Sequence, residues 1–464
     1  MKTRELANLG MPRNRQIMKM AQQAIKDYAH NQKGAINRNQ LQQIVLDLIK
    51  CPENFLSDTY LGTLAAVLQD ALAEKLSYKP RTEPAVYKQW GSDIEKQAIA
   101  QMDNACSLPV SVRGALMPDA HTGYGLPIGG VLAVKQAVIP YAVGVDIACR
   151  MKMTVLDLPV KTIEAQQDRL KNALCRETCF GVGACFKKPK EHEVMDEDWC
   201  FSAILKRCKD KAAKQLGTSG SGNHFVEFGI LTLDKPDLNL EAGSYLALLS
   251  HSGSRGTGNS IADYYSKLAK QIHPELPREL MHLAWLDMHT AEAIEYWRTM
   301  ELMGRYAAAN HTLIHRAIAR NLKADVLLDI ENHHNFAWKE IHDNQEVIVH
   351  RKGATPAQLD SVGIIPGSMA APGFVVRGKG NALSLNSASH GAGRRMSRKK
   401  AKEQYTWHYV KKFLADAGVQ LISAGLDEAP MAYKDIISVM KAQSDLVEVI
   451  ARFDPKIVRM ADDR

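Results

Sequence analysis

Apolar positions recur at helical spacing near the start of the chain. Ile17, Met20, Ala21, Ala24, Ile25 and Tyr28 form one stripe, Leu41, Ile44, Val45, Leu48 and Ile49 a second, and Leu61, Leu64, Leu68 and Leu72 a third. Residues so spaced share one helix face, and Gly34 and the Cys51-Pro52-Glu53-Asn54 segment interrupt the pattern. The spacing predicts three helices packed as a small unit over residues 1–80. From Tyr87 the texture changes to short β-like runs separated by Gly and Pro. Ile128 to Val138 and Met151 to Leu156 read as strands, whereas Ile163 to Ala173 and Ala291 to Ile318 keep helical periodicity. The mixture predicts an α+β body over residues 85–464.

Length supports this division, because 464 residues exceed the size at which a single hydrophobic core stops growing. No stretch approaches the roughly 20 apolar residues needed to cross a bilayer, and Met1-Lys2-Thr3-Arg4-Glu5 lacks the apolar core of a signal peptide. A soluble, cytoplasmic protein with no membrane partner is expected. The net charge of +8 fits a polyanionic partner without requiring one. Lys2, Arg4, Arg13, Arg15 and Lys19 offer either a nucleic-acid surface or a solvated face. Eight cysteines in so long a chain do not form a disulfide scaffold. Five of them, Cys175, Cys179, Cys185, Cys200 and Cys208, crowd near His192 without any Cys-x-x-Cys pair, so idle thiols are expected there rather than structural zinc.

The residues suited to chemistry fall in glycine-rich loops, the usual home of function on a rigid scaffold. Asp146-Ile147-Ala148-Cys149 sets a carboxylate and a thiol three apart, and a thiolate can bridge two cations. Asn223-His224, His251-Ser252-Gly253-Ser254-Arg255 and Asn332-His333-His334-Asn335 each add an imidazole. Together they supply five candidate ligands, enough for two ions. The donor types leave the metal open among zinc, iron and manganese. Near the other end, His390 stands in Ser389-His390-Gly391-Ala392-Gly393-Arg394-Arg395. Small residues and guanidinium groups make room for a large anion beside an imidazole that can attack phosphorus.

Seven motifs in order carry a resemblance to a known family. They are Pro118-Asp119-Ala120-His121-Thr122-Gly123-Tyr124-Gly125, the Asp-x-x-Cys segment, Gly222-Asn223-His224-Phe225-Val226-Glu227, His251-Ser252-Gly253-Ser254-Arg255-Gly256, His350-Arg351-Lys352-Gly353-Ala354-Thr355, Pro366-Gly367-Ser368-Met369 and the His390 segment. From about Tyr87 to near its end the chain resembles the RtcB family of RNA ligases; the helical unit lies outside the match. The resemblance implies a large mixed-sheet catalytic domain with inserted helices. It also implies joining of RNA 2′,3′-cyclic phosphate or 3′-phosphate ends to 5′-hydroxyl ends, with GTP and two Mn²⁺ as cofactors. By motif, Asp146, Cys149, His224, His251 and His334 would hold manganese, with Cys149 bridging. His390 would take GMP from GTP, with Asp119 also catalytic. Asn223, Phe225, Glu227, Asn335, Pro366, Gly367, Ser368, Met369, Gly391, Ala392, Gly393 and Tyr433 would contact the nucleotide, Glu227 by accepting from guanine N1–H and N2–H. Arg351, Lys352, Arg394, Arg395, Arg398, Lys399 and Lys400 are candidates for phosphate contact.

Four positions depart from the family pattern: Arg150 after Cys149, Thr122 after His121, Gly373, and Met460 where the family carries a nucleotide-contacting lysine. Arg459 and Lys456 are the nearby cations that would have to substitute for it. These changes predict a divergent branch, with RNA repair favoured over dedicated tRNA splicing and the helical unit directing it to a ribonucleoprotein or companion factor. The rival readings are a metal-dependent cyclic phosphodiesterase or phosphatase without ligation, and an RNA-binding remnant.

Overall fold

The computed structural model describes all residues except 13, 14, 33–35, 77, 78 and 464. Two compact units are present: Met1–Lys79 with Pro274–Pro277, and Pro80–His273 with Arg278–Arg464. The first contains helices Thr3–Asn8, Arg15–Asn31, Arg38–Lys50 and Gly62–Leu76, with a short 3₁₀ turn, Pro52–Phe55, between the last two. Ala21, Ile25, Val45, Leu48, Leu64 and Leu68 from the apolar stripes are buried in one core. Among the described residues the expected three helices are therefore four, because Leu6 of the six-residue Thr3–Asn8 enters the same core; so short a helix shows no periodicity. Asn37 starts the third helix with a reciprocal cap, its side chain accepting from Gln40 N at 3.0 Å while Gln40 Oε1 accepts from Asn37 N at 2.9 Å. Gly34, Arg13 and the side chains of Arg4, Arg15 and Leu72 lie outside the described residues.

The second unit carries two principal sheets. One has five strands in the order Tyr87–Gln89, Ser111–Tyr124, Leu126–Val134, Gln345–Lys352 and Asn335–His342. The other follows the path Val362–Ile365, Gly373–Gly378, Val447–Met460, Phe225–Leu233, Gly243–Ser252, Arg150–Leu156 and Val326–His333, with Gln420–Ser423 added in parallel beside Val447–Met460. Met117, Val131 and Val349 of the first sheet share a core with Ile365, Phe374 and Val376 of the second. Strand alternation sorts the second sheet's faces. Leu246 and Leu248 pack with Leu170, Leu174, Ile314 and Ile318 of helices Gln167–Glu177 and Ala291–Leu322, while Ala247 and Leu249 face another core with Met153 and Phe453.

Local geometry trims several expected elements. The strand read as Ile128 to Val138 ends at Val134, because Gln136 takes φ +51°, and Ala137–Val138 pairs instead with Leu286–Asp287. The helix read as Ile163 to Ala173 is two, Thr162–Ala165 and Gln167–Glu177, parted at Gln166 with φ −131°. The long helix runs on past Ile318 to Leu322, where Lys323 at φ +50° closes it in the left-handed region. No described helix is long and apolar enough to cross a membrane.

Candidate active site

Antiparallel order gathers the ligand-bearing loops at one end of the eight-stranded sheet. Asp146 and Cys149 precede the strand Arg150–Leu156, and Asn223 and His224 precede Phe225–Leu233. His251 and His334 come at the far ends of strands that run the opposite way. The register matches Met151 with His251, Phe225 with His251, and Arg150 with His333. Residues separated by more than 180 positions thereby converge.

Two sets of ligand atoms result, Cys149 with His251 and His334, and Cys149 with Asp146 and His224. Cys149 belongs to both. Its Sγ lies 3.3 Å from His224 Nε2 and 3.1 Å from His251 Nε2, while the Nε2 atoms of His251 and His334 are 3.2 Å apart. His224 Nε2 is 3.0 Å from Asp146 Oδ2. Asn223 O faces His251 Nδ1 at 3.1 Å and accepts its proton, so His251 directs a lone pair from Nε2 toward the thiol and His334. Such converging donors need a proton or a cation between them, so the set fits metal. Burial lowers His224, His251 and His334 and so favours neutral imidazole, while burial and then the Asp146 charge push the Cys149 thiol up. Burial opposes ionisation of Asp146, but the His224 hydrogen bond and the Arg255 charge hold its carboxyl below the usual range.

The loop after His251 seals this arrangement. Ser254 N donates to Asp146 Oδ1 at 3.1 Å, and Arg255 donates to His224 Nδ1 at 3.1 Å. Gly253 is required there, because a Cβ would meet Asp146 Oδ1 at 2.4 Å. Asn335 serves the same loops: its Oδ1 accepts from Gly353 N at 2.8 Å and its Nδ2 donates to Asp146 O at 3.3 Å. It does not line the cavity that holds all of the other nucleotide candidates.

That cavity, about 590 Å³, reaches from the histidines outward, within the usual range for a small-molecule site. Asn223, Phe225 and Glu227 form one wall, and Pro366, Gly367, Ser368 and Met369 a second. Gly391, Ala392 and Gly393 line it beside His390, with Tyr433 also present. His390 Nδ1 is 2.7 Å from Oδ2 of Asp119, whose carboxylate is fully buried and also accepts from His390 N at 3.2 Å. Gly393, at φ +73°, lies so close behind that a Cβ would meet Asp119 O at 2.1 Å. His334 and His390 ring centroids are 4.9 Å apart. Glu227 is 5% exposed and has no side-chain hydrogen-bond partner among the described residues; burial holds its carboxyl well above the usual range.

The basic candidates separate. Arg351 is fully buried, bound to Glu340 through Nη1 at 2.6 Å and to Ser387 Oγ through Nε at 2.7 Å, with Nη2 on Leu385 O at 2.8 Å. Its expected phosphate role is corrected by this burial: the guanidinium fastens strands together. Lys352 Nζ donates to Tyr124 O at 2.6 Å, and burial lowers its pKa to about 7. Arg394 lines the cavity but donates to Glu428 Oε2 at 3.0 Å and Asp427 O at 2.7 Å, and Arg398 is paired with Asp427 Oδ2 at 2.6 Å. Arg395, Lys399 and Lys400 are exposed. Glu428, which no sequence motif marked, ties together Arg394, Arg398 and the Tyr433 hydroxyl.

The divergent positions also have places. Met460 lines the cavity and packs with Met369 and Val458. Arg459 takes the other side of the strand, donating from Nη1 to Leu174 O at 2.8 Å and Cys175 O at 2.9 Å, where it caps the helix Gln167–Glu177. Neither Arg459 nor Lys456 lines the cavity, so neither replaces a lysine at position 460. Thr122 and Gly373 are at its wall, and Arg150 is buried, donating to Gly304 O at 3.1 Å. Cys175, Cys179, Cys185, Cys200 and Cys208 join neither ligand set among the described residues.

Comparison with known proteins agrees with this geometry. The family profile described as tRNA-splicing ligase RtcB matches residues 101–206 and 197–461. An RNA-splicing ligase RtcB1 of Escherichia coli is 36% identical over 80% of this chain and 96% of its own length. The tRNA-splicing ligase RtcB of Nanoarchaeum equitans is 31% identical over 78% and 91%, and the RNA-splicing ligase RtcB of Mycobacterium bovis 30% over 76% and 98%. With its two thiol-sharing ligand sets and a carboxylate-held histidine at the cavity, this chain belongs to the RtcB family.

Proposed function

We propose that the chain is an RNA ligase that joins 2′,3′-cyclic phosphate or 3′-phosphate ends to 5′-hydroxyl ends, using GTP and two Mn²⁺ ions. The observation that carries the reading is the Asp119–His390 contact at the cavity wall. With Nδ1–H donated to the carboxylate, the Nε2 lone pair is left to attack. Nε2 forms a bond to the α-phosphorus of GTP as the bond to pyrophosphate breaks. Where the end is a 2′,3′-cyclic phosphate, water first adds to phosphorus and the bond to O2′ breaks, leaving a 3′-phosphate; GMP then passes from His390 to that 3′-phosphate, and the 5′-hydroxyl displaces GMP as the strands join. Manganese held by Asp146, Cys149, His224, His251 and His334 would neutralise phosphate charge. Glu227 selects guanine through its donor edge. Residues 1–80 form a separate helical unit in this proposal, one that brings the enzyme to a ribonucleoprotein or companion factor during RNA repair in the cytoplasm.

The test uses Mn²⁺ and α-labelled GTP. Label that remains after denaturation, survives alkali, is lost in acid and vanishes in His390→Ala supports the ligase. Absence of covalent label with Mn²⁺, Zn²⁺ and Fe²⁺ alike overturns it. A hydrolase lacking ligation is disfavoured by the intact His390–Asp119 pair and by the ligase names of the relatives.

A further inference from the structure

Two residues beyond Thr122 of the cavity wall begins a group of rings that the reactions above leave unused. Tyr124, at the tip of the hairpin Ser111–Tyr124 and Leu126–Val134, is 66% exposed. Its ring meets Tyr141 edge-on at 6.4 Å and His282 at 5.6 Å, while Tyr141 and His282 are 4.6 Å apart. Two amines accompany the rings. Lys352 Nζ is 5.1 Å and Lys270 Nζ 5.8 Å from the Tyr141 centroid, and Lys270 is 3.2 Å from His282 Nδ1. The nearby Asp263 carboxylate is paired with Lys267 at 2.8 Å.

The exposed ring stands on a pinned backbone. Gln101 Nε2 donates to Gly123 O at 2.7 Å while its Oε1 accepts from Gly123 N at 3.0 Å. Thr122 donates to Glu95 through N at 3.2 Å and Oγ1 at 2.5 Å, and Tyr124 O accepts from Lys352 at 2.6 Å. A loop tip held this way presents its aromatic face at little entropic cost on binding. The same strand leads to the reacting centre, with Asp119 against His390 and with His121 and Thr122 on the cavity wall. Thr122 and Tyr124 are about 7 Å apart along an extended chain.

We infer that Tyr124, backed by Tyr141 and His282 and flanked by Lys270 and Lys352, is a stacking platform for an unpaired base of the RNA substrate next to the end being joined. This rests on the RNA-ligase reading. Stacking on an exposed ring is the general mode by which single-stranded nucleic acid is held without sequence preference. The platform fixes the base, and the phosphate beyond it enters the cavity toward His390.

The test titrates full-length protein, without GTP, into a short RNA carrying 2-aminopurine beside its 3′-phosphate. Wild-type protein quenches the fluorophore. Tyr124→Ala weakens binding about tenfold to a hundredfold, and Tyr124→Trp restores it. Covalent GMP labelling of His390, which needs no RNA, reports that the variants fold and keep the nucleotide site. Wild-type affinity and quenching in a Tyr124→Ala protein that still labels would overturn the platform while leaving the ligase reading standing. Tyr124-dependent binding by a protein that never forms covalent GMP would support the platform and overturn the ligase.

Discussion

Nδ1 of His390 rests 2.7 Å from Oδ2 of Asp119, a carboxylate with no exposed surface. The contact selects a tautomer and a ring orientation together, since the imidazole has one proton to give and the carboxylate accepts it. Asp119→Ala should slow covalent GMP transfer to His390 by on the order of a hundredfold or more, with GTP affinity nearly unchanged. Single-turnover labelling at saturating GTP measures the first quantity, and equilibrium binding the second. An unchanged transfer rate would remove Asp119 from the reaction.

Because Cys149 belongs to both ligand sets, its loss should weaken both at once, whereas loss of a ligand from one set should spare the other. Cys149→Ala should reduce bound Mn²⁺ from two equivalents to one or none, as read by elemental analysis after dialysis. His334→Ala, which touches one set only, should keep about one equivalent. Two retained ions in Cys149→Ala would contradict the shared-sulfur arrangement.

Glu227 should make GTP binding depend on pH. Its raised pKa comes from burial, and guanine N1–H and N2–H are accepted best by the ionised carboxylate. Below that pKa the proton must leave on binding, so affinity should rise by up to about tenfold per pH unit. Glu227→Gln should bind more weakly and lose the slope. The linkage to stability has the opposite sign. A carboxyl raised by folding contributes stability that is fully present below its unfolded value and lost as pH rises through its folded value. Melting curves of ligand-free wild type and Glu227→Gln should accordingly converge at low pH and part at high pH, the wild type falling.

Arg351 should behave as a stability residue. Removing it takes the guanidinium from Glu340, whose side chain is 13% exposed, and leaves His342 at 2.8 Å beside the carboxylate, a change that typically costs about 3 kcal/mol. Arg351→Ala should lower the denaturation midpoint by that order, and at temperatures where it remains folded its GTP affinity should match the wild type. A variant of native stability that binds RNA poorly would restore the phosphate role.

What the sequence disclosed depended on how local each signal was. Each candidate-ligand segment is distinctive within a few residues, so Asp146, Cys149, His224, His251 and His334 could be singled out one segment at a time, and the antiparallel register brings them together. Glu428 left no such trace, because its role arises from Arg394, Arg398 and Tyr433 converging on one carboxylate. Arg351 and Arg459 were visible as charges, but their direction was not. Alternation within Val447–Met460 sends Arg459 to a helix terminus and Met460 to the cavity. In the same way, the break at Gln166 and the left-handed turn at Gln136 are backbone choices that apolar periodicity does not encode.

The strand Val447–Met460 lies between Gly373–Gly378 and Phe225–Leu233, inside the sheet rather than at its margin. During synthesis those two neighbours exist well before the strand that joins them. Until it emerges from the ribosome, each leaves an unpaired row of backbone donors and acceptors, the condition in which nascent β chains associate wrongly. Val458 and Met460 also belong to the cavity wall. That wall is therefore incomplete until this strand, made after both of its neighbours, has inserted between them.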